Sequence, residues 1–454
     1  MSRRTRMTMA VLLPLVLCAA GLSPAHARPP TPSPGATFDK VEPLSPDEAR
    51  KRALRRAAEL GNHSYYDADK VTDDGRSRQS LGRLATTAAF PATPPQPDTG
   101  DCLAKPEAAR RSGWTYNRLL WCQAFGYKAD YFKVSTSGPP TYMGSVIIDW
   151  QMAAMGSNTQ RSLRVFWRPV AGSVRYVGWT TANPTGQPFA VHAECAQAAP
   201  YCSYAGTTPS KSWSAWNTTT DWFSWDLTSP AQAGDPTREK ITTPDWHLVT
   251  DATSLDYPLI PPGKTDDLPF RCDSADYFSR FGQAFDRACV FTDVIPHLQY
   301  NLSSAKHGTV ARHIQDAQLS PDTSYPIESH RKTIPGRWEP DPDPEFGSLH
   351  RVPGTGAIAA SNTTWKNYAC NRNGAYNATT GLPPKTPQQE AEGWQCDEYP
   401  FRSTAEGAGS GTWDFSVRWV PGTQNGSAGG SLIAFFFDDR ILHVNDPFWV
   451  KINP

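Results

Sequence analysis

The sequence predicts a disulfide-stabilised α+β protein in which a β-rich domain precedes a smaller mixed domain. The chain has 454 residues, a length typical of two or three domains. Between residues 101 and 270, short alternating or apolar runs recur, separated by turns rich in Gly, Pro, Ser and Thr. From residue 271 onwards, apolar residues at helical spacing appear among further strand-like runs. We therefore place a domain boundary near residue 270.

The N-terminal 27 residues have the pattern of a secretory signal peptide. Three arginines in the first six residues precede an apolar run over 11–17, which is too short to span a membrane, and a small-x-small site ends at Ala27. Cleavage there removes three arginines and no acid, so 41 basic residues face 44 acidic ones. We predict a secreted, extracellular protein with no membrane association, because no other segment could span a bilayer.

Eight cysteines follow the predicted cleavage site, and an even number in an exported chain predicts disulfide bonds. The chain contains no pair of Cys-x-x-Cys units, which argues against structural zinc. Other connectivities stay open, but proximity along the chain suggests the pairs Cys102 with Cys122, Cys195 with Cys202, Cys272 with Cys289, and Cys370 with Cys396.

A helix is predicted to begin at Pro46. Ser45 is a suitable N-cap, proline fits the first helical position, and Glu48 completes a capping box. Helix-forming residues continue to Leu60, and Gly61 is a natural stop.

Around this helix, residues 28–100 are predicted to form a disordered and helical pro-segment with a linker. The Pro-, Thr- and Ser-rich stretch 28–40 predicts disorder, and 88–100 has the composition of a linker. The helix has a basic face with Arg52 and Arg56, which fits a pro-segment, a tether or a solvated surface helix.

The β-rich region over 101–270 is predicted to be an antiparallel sandwich without an assigned chemistry. It carries no nucleophile elbow, no His-Glu-x-x-His motif and no phosphate-binding loop. It is dense in tryptophan, which either fills a β core or stacks on sugars or bases from an exposed position. The tryptophans that raise this question are Trp213, Trp216, Trp222 and Trp225.

The C-terminal region over 271–454 is predicted to combine one early helix with several strands. The helix covers 309–318 and carries His313. The apolar run within 431–437 is predicted as a strand, although a short buried helix fits as well. The predicted strands are 415–420, 431–437, 440–444 and 448–452.

Three carboxylates within ten residues form the most informative motif of the chain. Asp397, Glu398 and Glu406 lie beside a half-cystine, an aromatic pair and a glycine-rich loop. Carboxylates this close repel one another unless a cation lies among them, and their oxygens are the ligands that Mg²⁺ and Mn²⁺ prefer. The motif therefore predicts an active site with one of these divalent metal ions as cofactor.

Four features of the C-terminal region resemble the secreted NucA/NucB deoxyribonuclease family. They are the run from Cys396 to Phe401, the Glu406-Gly407 step, the Gln424-Asn425 pair and a His-Ile-x-Asp-Ala pattern that begins at His313. The resemblance covers roughly residues 290–454. It implies a compact, metal-dependent nuclease domain of the ββα-metal type, in which an Asp does the job that a His does in many relatives. The implied substrate is DNA, cut without sequence specificity.

The resemblance also assigns positions to individual residues, and the chemistry of phosphodiester hydrolysis suggests their roles. Asp397 is the expected general base, with His313 as the rival base, and Glu398 is the adjacent acid. Glu398 and Glu406 are expected to hold the metal, and the family pattern adds Asn425 as a third ligand. Consecutive residues of a regular strand face opposite sides, so Asp397 and Glu398 cannot both face the metal from such a strand. A bulge, a turn or a split of roles between the two acids is therefore required.

Three arginines are candidates for binding the substrate phosphate, namely Arg402, Arg418 and Arg440. Between residues 361 and 454 there are seven basic and nine acidic residues, so we expect modest, salt-dependent affinity for DNA. We expect a monomer. The competing hypothesis is a non-catalytic, tryptophan-rich secreted protein that binds glycan or another polymer.

Overall fold

The structure is a computed structural model that describes residues 38–70, 90–135, 137–280, 282–339, 347–443 and 446–454. The predicted signal peptide, 1–27, lies outside these residues, as do residues 28–37 of the predicted pro-segment. None of the helices in this part of the chain combines the length and apolar character that crossing a bilayer requires.

The described residues form a mixed α+β protein. The helices are α1 (Pro46–Leu60), α2 (Asp98–Leu103), α3 (Trp213–Trp216), α4 (Gly308–Leu319), α5 (Ala357–Asn371), α6 (Pro387–Ala391) and α7 (Gly422–Asp438). The strands are β1 (His63–Asp67), β2 (Trp114–Asn117), β3 (Leu120–Lys133), β4 (Thr141–Gly156), β5 (Ser162–Pro169), β6 (Arg175–Val177), β7 (Pro188–Cys195), β8 (Ser203–Ala205), β9 (Ser210–Ser212), β10 (Phe223–Thr228), β11 (Asp245–Ala252), β12 (Gly263–Lys264), β13 (Leu268–Asp273), β14 (Ser279–Arg280), β15 (Gln283–Ala284), β16 (Ala288–Phe291), β17 (Ile295–Asn301), β18 (Leu349–His350), β19 (Trp394–Tyr399), β20 (Ser416–Pro421) and β21 (Pro447–Asn453).

The predicted β-rich region is present as two antiparallel sheets. One sheet has the order β2-β3-β4-β5-β10-β8 with β6 beside β4, and the other has the order β16-β13-β11-β7-β9 with β12 beside β11. Their shared core contains many buried tryptophans, which supports the core-filling interpretation of Trp213, Trp216 and Trp225. The second sheet continues to β16, so it extends past the predicted boundary at residue 270.

The C-terminal region is organised around a four-stranded sheet with the order β1-β17-β21-β18. Strands β1 and β21 lie on either side of β17, and both run parallel to it. The N-terminal segment is therefore part of the sheet that the C-terminal strand completes. Leu54 and Ala57 of α1 pack against Ile295 and Trp449 of the same sheet. The predicted pro-segment thus contributes both a helix and a strand to this fold.

Helix α1 begins and ends where the local chemistry of the sequence predicts. The Ser45 hydroxyl accepts from the backbone N–H of Glu48, and the Glu48 side chain accepts from the Ser45 backbone, which completes the capping box. Gly61 ends the helix at φ 64°, a left-handed conformation that favours glycine.

The apolar run at 431–437 lies in helix α7, so its prediction as a strand is wrong and the helical alternative is right. Leu432, Phe435 and Phe436 are buried, whereas Ile433 is exposed. Burial at positions i, i+3 and i+4 is the helical pattern, which a run of six apolar residues conceals. No described residue of the predicted strand at 440–444 lies in a strand, whereas β20 and β21 confirm the predictions at 415–420 and 448–452.

All four disulfide bonds pair as the sequence suggests. The bonds are Cys102–Cys122, Cys195–Cys202, Cys272–Cys289 and Cys370–Cys396. Three of them lie in or beside the sandwich, and the fourth joins α5 to β19. Each closes a loop of fewer than thirty residues, so every link is local in sequence.

Asp438 connects three separate elements of the molecule. It lies at the end of α7, accepts from the Tyr66 hydroxyl of β1 at 2.9 Å, and accepts from the Arg280 guanidinium of β14 at 3.1 Å. Burial raises the pKa of Asp438 to about 7, and this effect outweighs the opposing effects of Arg280 and Tyr66. The folded protein therefore holds this proton more tightly than the unfolded chain does.

We expect the free energy of unfolding to fall between about pH 4 and about pH 7 because of Asp438. The raised pKa means that its contribution is complete at acidic pH and is lost as the pH rises through the folded-state pKa. In Asp438→Asn, the fall should be smaller by about 2 kcal/mol. Denaturant unfolding across this pH range measures the effect, with the exposed Asp276→Asn as control. Identical pH slopes in wild type and Asp438→Asn would contradict the expectation.

Candidate active site

The acidic motif lies on a two-stranded hairpin between helices. Strands β19 and β20 pair antiparallel without a register shift, which places Asp397 opposite Arg418 and Glu398 opposite Val417. Helices α4 and α7 contact this hairpin, as does α5, to which Cys396 is disulfide-bonded. Because the pairing is regular, the side chains of residues 397 and 398 leave the strand on opposite faces. Asp397 and Glu398 therefore point to opposite faces of the hairpin, and no bulge in β19 brings their side chains together.

Asp397 faces α4 and belongs to a buried hydrogen-bonded chain of three side chains. Nδ1 of His313 lies 2.7 Å from Oδ2 of Asp397, and Nε2 lies 2.9 Å from Oγ of Ser416. His313 and Ser416 are fully buried, and Asp397 retains a small exposed area. An imidazole that donates from Nδ1 to the carboxylate leaves Nε2 to accept the serine proton. The two residues predicted as rival bases are thus direct partners.

Glu398 faces the side of the hairpin that α5 covers. Lys366 and Arg402 are the cations whose charges act on its carboxylate. No side chain among the described residues forms a hydrogen bond with this carboxylate. Burial raises the pKa of Glu398 to about 7, and the negative charge of Asp397 adds to this rise, whereas Lys366 and Arg402 oppose it. Glu398 is therefore a partly buried acid whose carboxylate has no side-chain hydrogen bond and keeps lone pairs that can bind a cation.

Glu406 is fully engaged with His350. Its Oε1 lies 2.8 Å from Nδ1 of His350, and its Oε2 accepts from the His350 backbone N–H at 2.8 Å. The loop that carries Glu406 is held by Asn362 of α5, whose amide donates to the carbonyls of Arg402 and Thr404. Both carboxylate oxygens of Glu406 are thus occupied by protein donors.

The three predicted metal ligands lie in separate hydrogen-bonded groups. Asn425, at the start of α7, donates to Gln395, while Glu406 binds His350 and Glu398 stands apart from both. Within the ranges that the structure describes, no group of three or more His, Cys, Asp or Glu side chains is arranged to hold a metal ion. The structure thus separates the three predicted ligands, and Glu398 is the one whose side chain has no hydrogen bond to another described side chain.

The three predicted phosphate-binding arginines have different surroundings. Arg402 is exposed and donates to the Thr363 hydroxyl and the Gly354 carbonyl, and Arg418 forms a half-exposed ion pair with Asp316 at 2.8 Å. Arg440 is buried and binds Asp273 at 2.7 Å. A guanidinium that is already paired inside the protein is not available to a phosphate, so we withdraw that role for Arg440.

Sequence analysis missed three residues of the site. Ser416 completes the buried chain, His350 occupies Glu406, and Lys366 lies near Glu398. No local pattern marks them, because each meets its partner through a contact between separate elements. Lys366 has an indirect signal, since it lies one helical turn before Cys370, which is bonded to Cys396 of the motif strand.

Comparison with known families finds a match in the C-terminal region. The sequence model of one family, described as Deoxyribonuclease NucA/NucB, matches residues 354–451. This confirms the predicted resemblance for that region, and the match contains α5, the β19–β20 hairpin and α7. The match suggests that the C-terminal domain is a nuclease. No curated protein and no solved structure matches the chain.

Proposed function

We propose that this protein is a secreted, metal-dependent deoxyribonuclease that hydrolyses DNA phosphodiester bonds without sequence specificity. One observation carries the proposal: inside the matched region, Glu398 offers a carboxylate with no hydrogen-bonded side-chain partner among the described residues. A partly buried acid in this state gains stability from a bound cation. The four disulfides fit an extracellular protein.

The order of elements around the motif supports a ββα-metal nuclease domain. Two antiparallel strands, β19 and β20, are followed directly by helix α7, and Asp397 lies on the first strand. In this proposal the hairpin presents the acids and α7 covers the face that carries Asp397.

A single hard cation fits the donors that are present. Mg²⁺ commonly binds through one or two carboxylates and retains several waters, so Glu398 alone meets the minimum. Each oxygen of Glu406 already accepts a hydrogen bond from His350, and Asn425 bonds to Gln395, a residue of the Asp397 face. When bound, such an ion polarises a phosphate and stabilises a leaving oxygen. Mn²⁺ has the same ligand preference.

Asp397 is proposed to accept the proton of the attacking water. His313 occupies Oδ2, so the remaining oxygen, Oδ1, is the one that can accept the proton. The buried chain through His313 to Ser416 fixes the orientation of the carboxylate. Arg402 and Arg418, which keep accessible guanidinium groups, are proposed to contact substrate phosphates.

The polymer-binding alternative is weakened by the sandwich core. It depended on tryptophans that stack on a ligand from an exposed position. Trp213, Trp216 and Trp225 are instead buried. Of the four tryptophans in question, Trp222 retains partial exposure, and Arg168 covers its ring at 4.5 Å.

Incubation with plasmid DNA tests the proposed function. With Mg²⁺ or Mn²⁺ we expect nicking that EDTA abolishes and that either metal restores. Cleavage should weaken as salt rises, because the acidic surplus of this region leaves phosphate contacts few and easily screened. Intact plasmid with both metals over a range of salt would contradict the proposal, and equal cleavage in EDTA would remove the metal from it.

A further inference from the structure

A cavity of about 270 Å³ lies beneath helix α1, remote from the acidic motif in sequence and in fold. Its walls combine apolar and charged side chains. Ala49, Ala53 and Leu54 of α1 form one side, and Phe270 of β13 forms part of the other. Arg118, in the turn between β2 and β3, also lines the cavity. The cavity thus has an apolar wall from α1 and β13 and several charged residues of both signs, Arg118 among them.

The guanidinium of Arg118 is buried and forms no hydrogen bond with another described residue. The residue is 2 % exposed, and its Nε has no hydrogen-bond partner. Its guanidinium comes no closer than 3.7 Å to Asp446, its ion-pair partner among the described residues. That distance is too long for a hydrogen bond. A buried cation in this condition carries a desolvation cost that the surrounding acids offset only in part.

Asp446 is already committed to another arginine. Arg271 donates to both oxygens of Asp446, at 2.7 and 2.6 Å, so the pair is bidentate. The backbone N–H of Leu442 donates to the same carboxylate at 3.0 Å. Arg118 therefore shares Asp446 with Arg271, which already donates to both oxygens of that carboxylate. Burial lowers the pKa of Arg118 and Arg271 acts in the same direction, whereas Asp446, Asp439 and Asp273 oppose this shift.

The other charged groups at the cavity have hydrogen-bonded partners. Arg52 of α1 binds Asp245 at 2.5 Å. Asp235 accepts from the backbone N–H of Ile241 at 2.8 Å. Arg118 thus differs from these charged groups, because its guanidinium has no hydrogen-bonded partner among the described residues.

We propose that this cavity binds a small organic oxyanion, a carboxylate or a phosphate monoester with an apolar body, whose oxygens accept hydrogen bonds from Arg118. The apolar wall of α1 would contact the body of the ligand, and the guanidinium would contact its anionic end. Because α1 forms one wall, the bound ligand would also hold this helix against the sandwich. The proposal is independent of nuclease activity.

Calorimetric titration of the full protein tests the proposal with benzoate and phenyl phosphate as probes and neutral benzamide as the matched control. We expect both anions to bind with heat and benzamide to bind at least about tenfold more weakly. The tighter of the two anions identifies whether the site prefers carboxylate or phosphate. Binding of all three probes with equal affinity, or of none, would overturn the proposal.

Two variants separate the roles of the charge and the space. Arg118→Met keeps the length of the side chain and should weaken anion binding by about ten- to a hundredfold. Ala53→Phe keeps Arg118 and should abolish binding by filling the cavity. Arg111→Met, at an exposed arginine, should bind like wild type. Should Arg118→Met fail to fold, Ala53→Phe still decides, because unchanged binding in that variant excludes the cavity as the site.

Discussion

Asp397→Asn is expected to reduce the rate of plasmid cleavage by about a hundred- to ten-thousandfold, the range typical for loss of a general base. An amide cannot accept the proton of the attacking water, although its oxygen can still accept a hydrogen bond from His313. The substitution preserves the size of the side chain. The contact at 2.7 Å between residue 397 and Nδ1 of His313 should therefore survive, and with it the buried chain to Ser416.

The rate is best measured as nicking of supercoiled plasmid at saturating Mg²⁺ or Mn²⁺. Circular dichroism and a thiol assay should show an unchanged fold and intact disulfides. Glu390→Gln, an exposed acid of α6 inside the matched region, is the control and should cut at the wild-type rate. Wild-type turnover in Asp397→Asn would remove this residue from the mechanism, and equal loss in both variants would point to a general effect of charge.

Features set by short stretches of chain could be predicted from the sequence. The capping box of Ser45 and Glu48 and the left-handed Gly61 depend on hydrogen bonds within a few residues, and both ends of α1 appear as expected. The four disulfides join neighbouring cysteines, so sequence proximity was sufficient to pair them. The acidic motif was recognisable because its three carboxylates lie within ten residues of one another.

Features set by contacts distant in sequence could not be predicted. Nothing local indicates that β1 lies beside β17, because a strand at 63–67 finds its partner more than two hundred residues later. The same holds for the contact of Glu406 with His350 and for Ser416, which meets His313 across the hairpin. An acidic cluster in sequence became three separate groups in space, since strand alternation and loop contacts direct each side chain independently.

Arg440 shows how the same residue type serves a different purpose once it is buried. Its guanidinium donates to Asp273 of the sandwich at 2.7 Å and also binds the Phe285 carbonyl, and it lies 4.0 Å from the ring of Phe278. Burial would raise the pKa of Asp273, but Arg440 and Arg271 outweigh it and keep that pKa below its usual value. The ion pair between Arg440 and Asp273 therefore joins the C-terminal domain to the sandwich.

Arg440→Met is expected to lower the free energy of unfolding by about 3–5 kcal/mol, because it leaves Asp273 fully buried with the longer contact to Arg271 as its ion pair and the Ala275 backbone N–H as a neutral donor. Denaturant unfolding measures this loss. Arg238→Met is the control, since its ion pair with Asp276 is exposed and should contribute about 1 kcal/mol or less. The folded fraction of Arg440→Met should bind DNA and cut plasmid like wild type at temperatures below its transition. Wild-type stability together with weakened DNA binding would instead restore the phosphate-binding role predicted from the sequence.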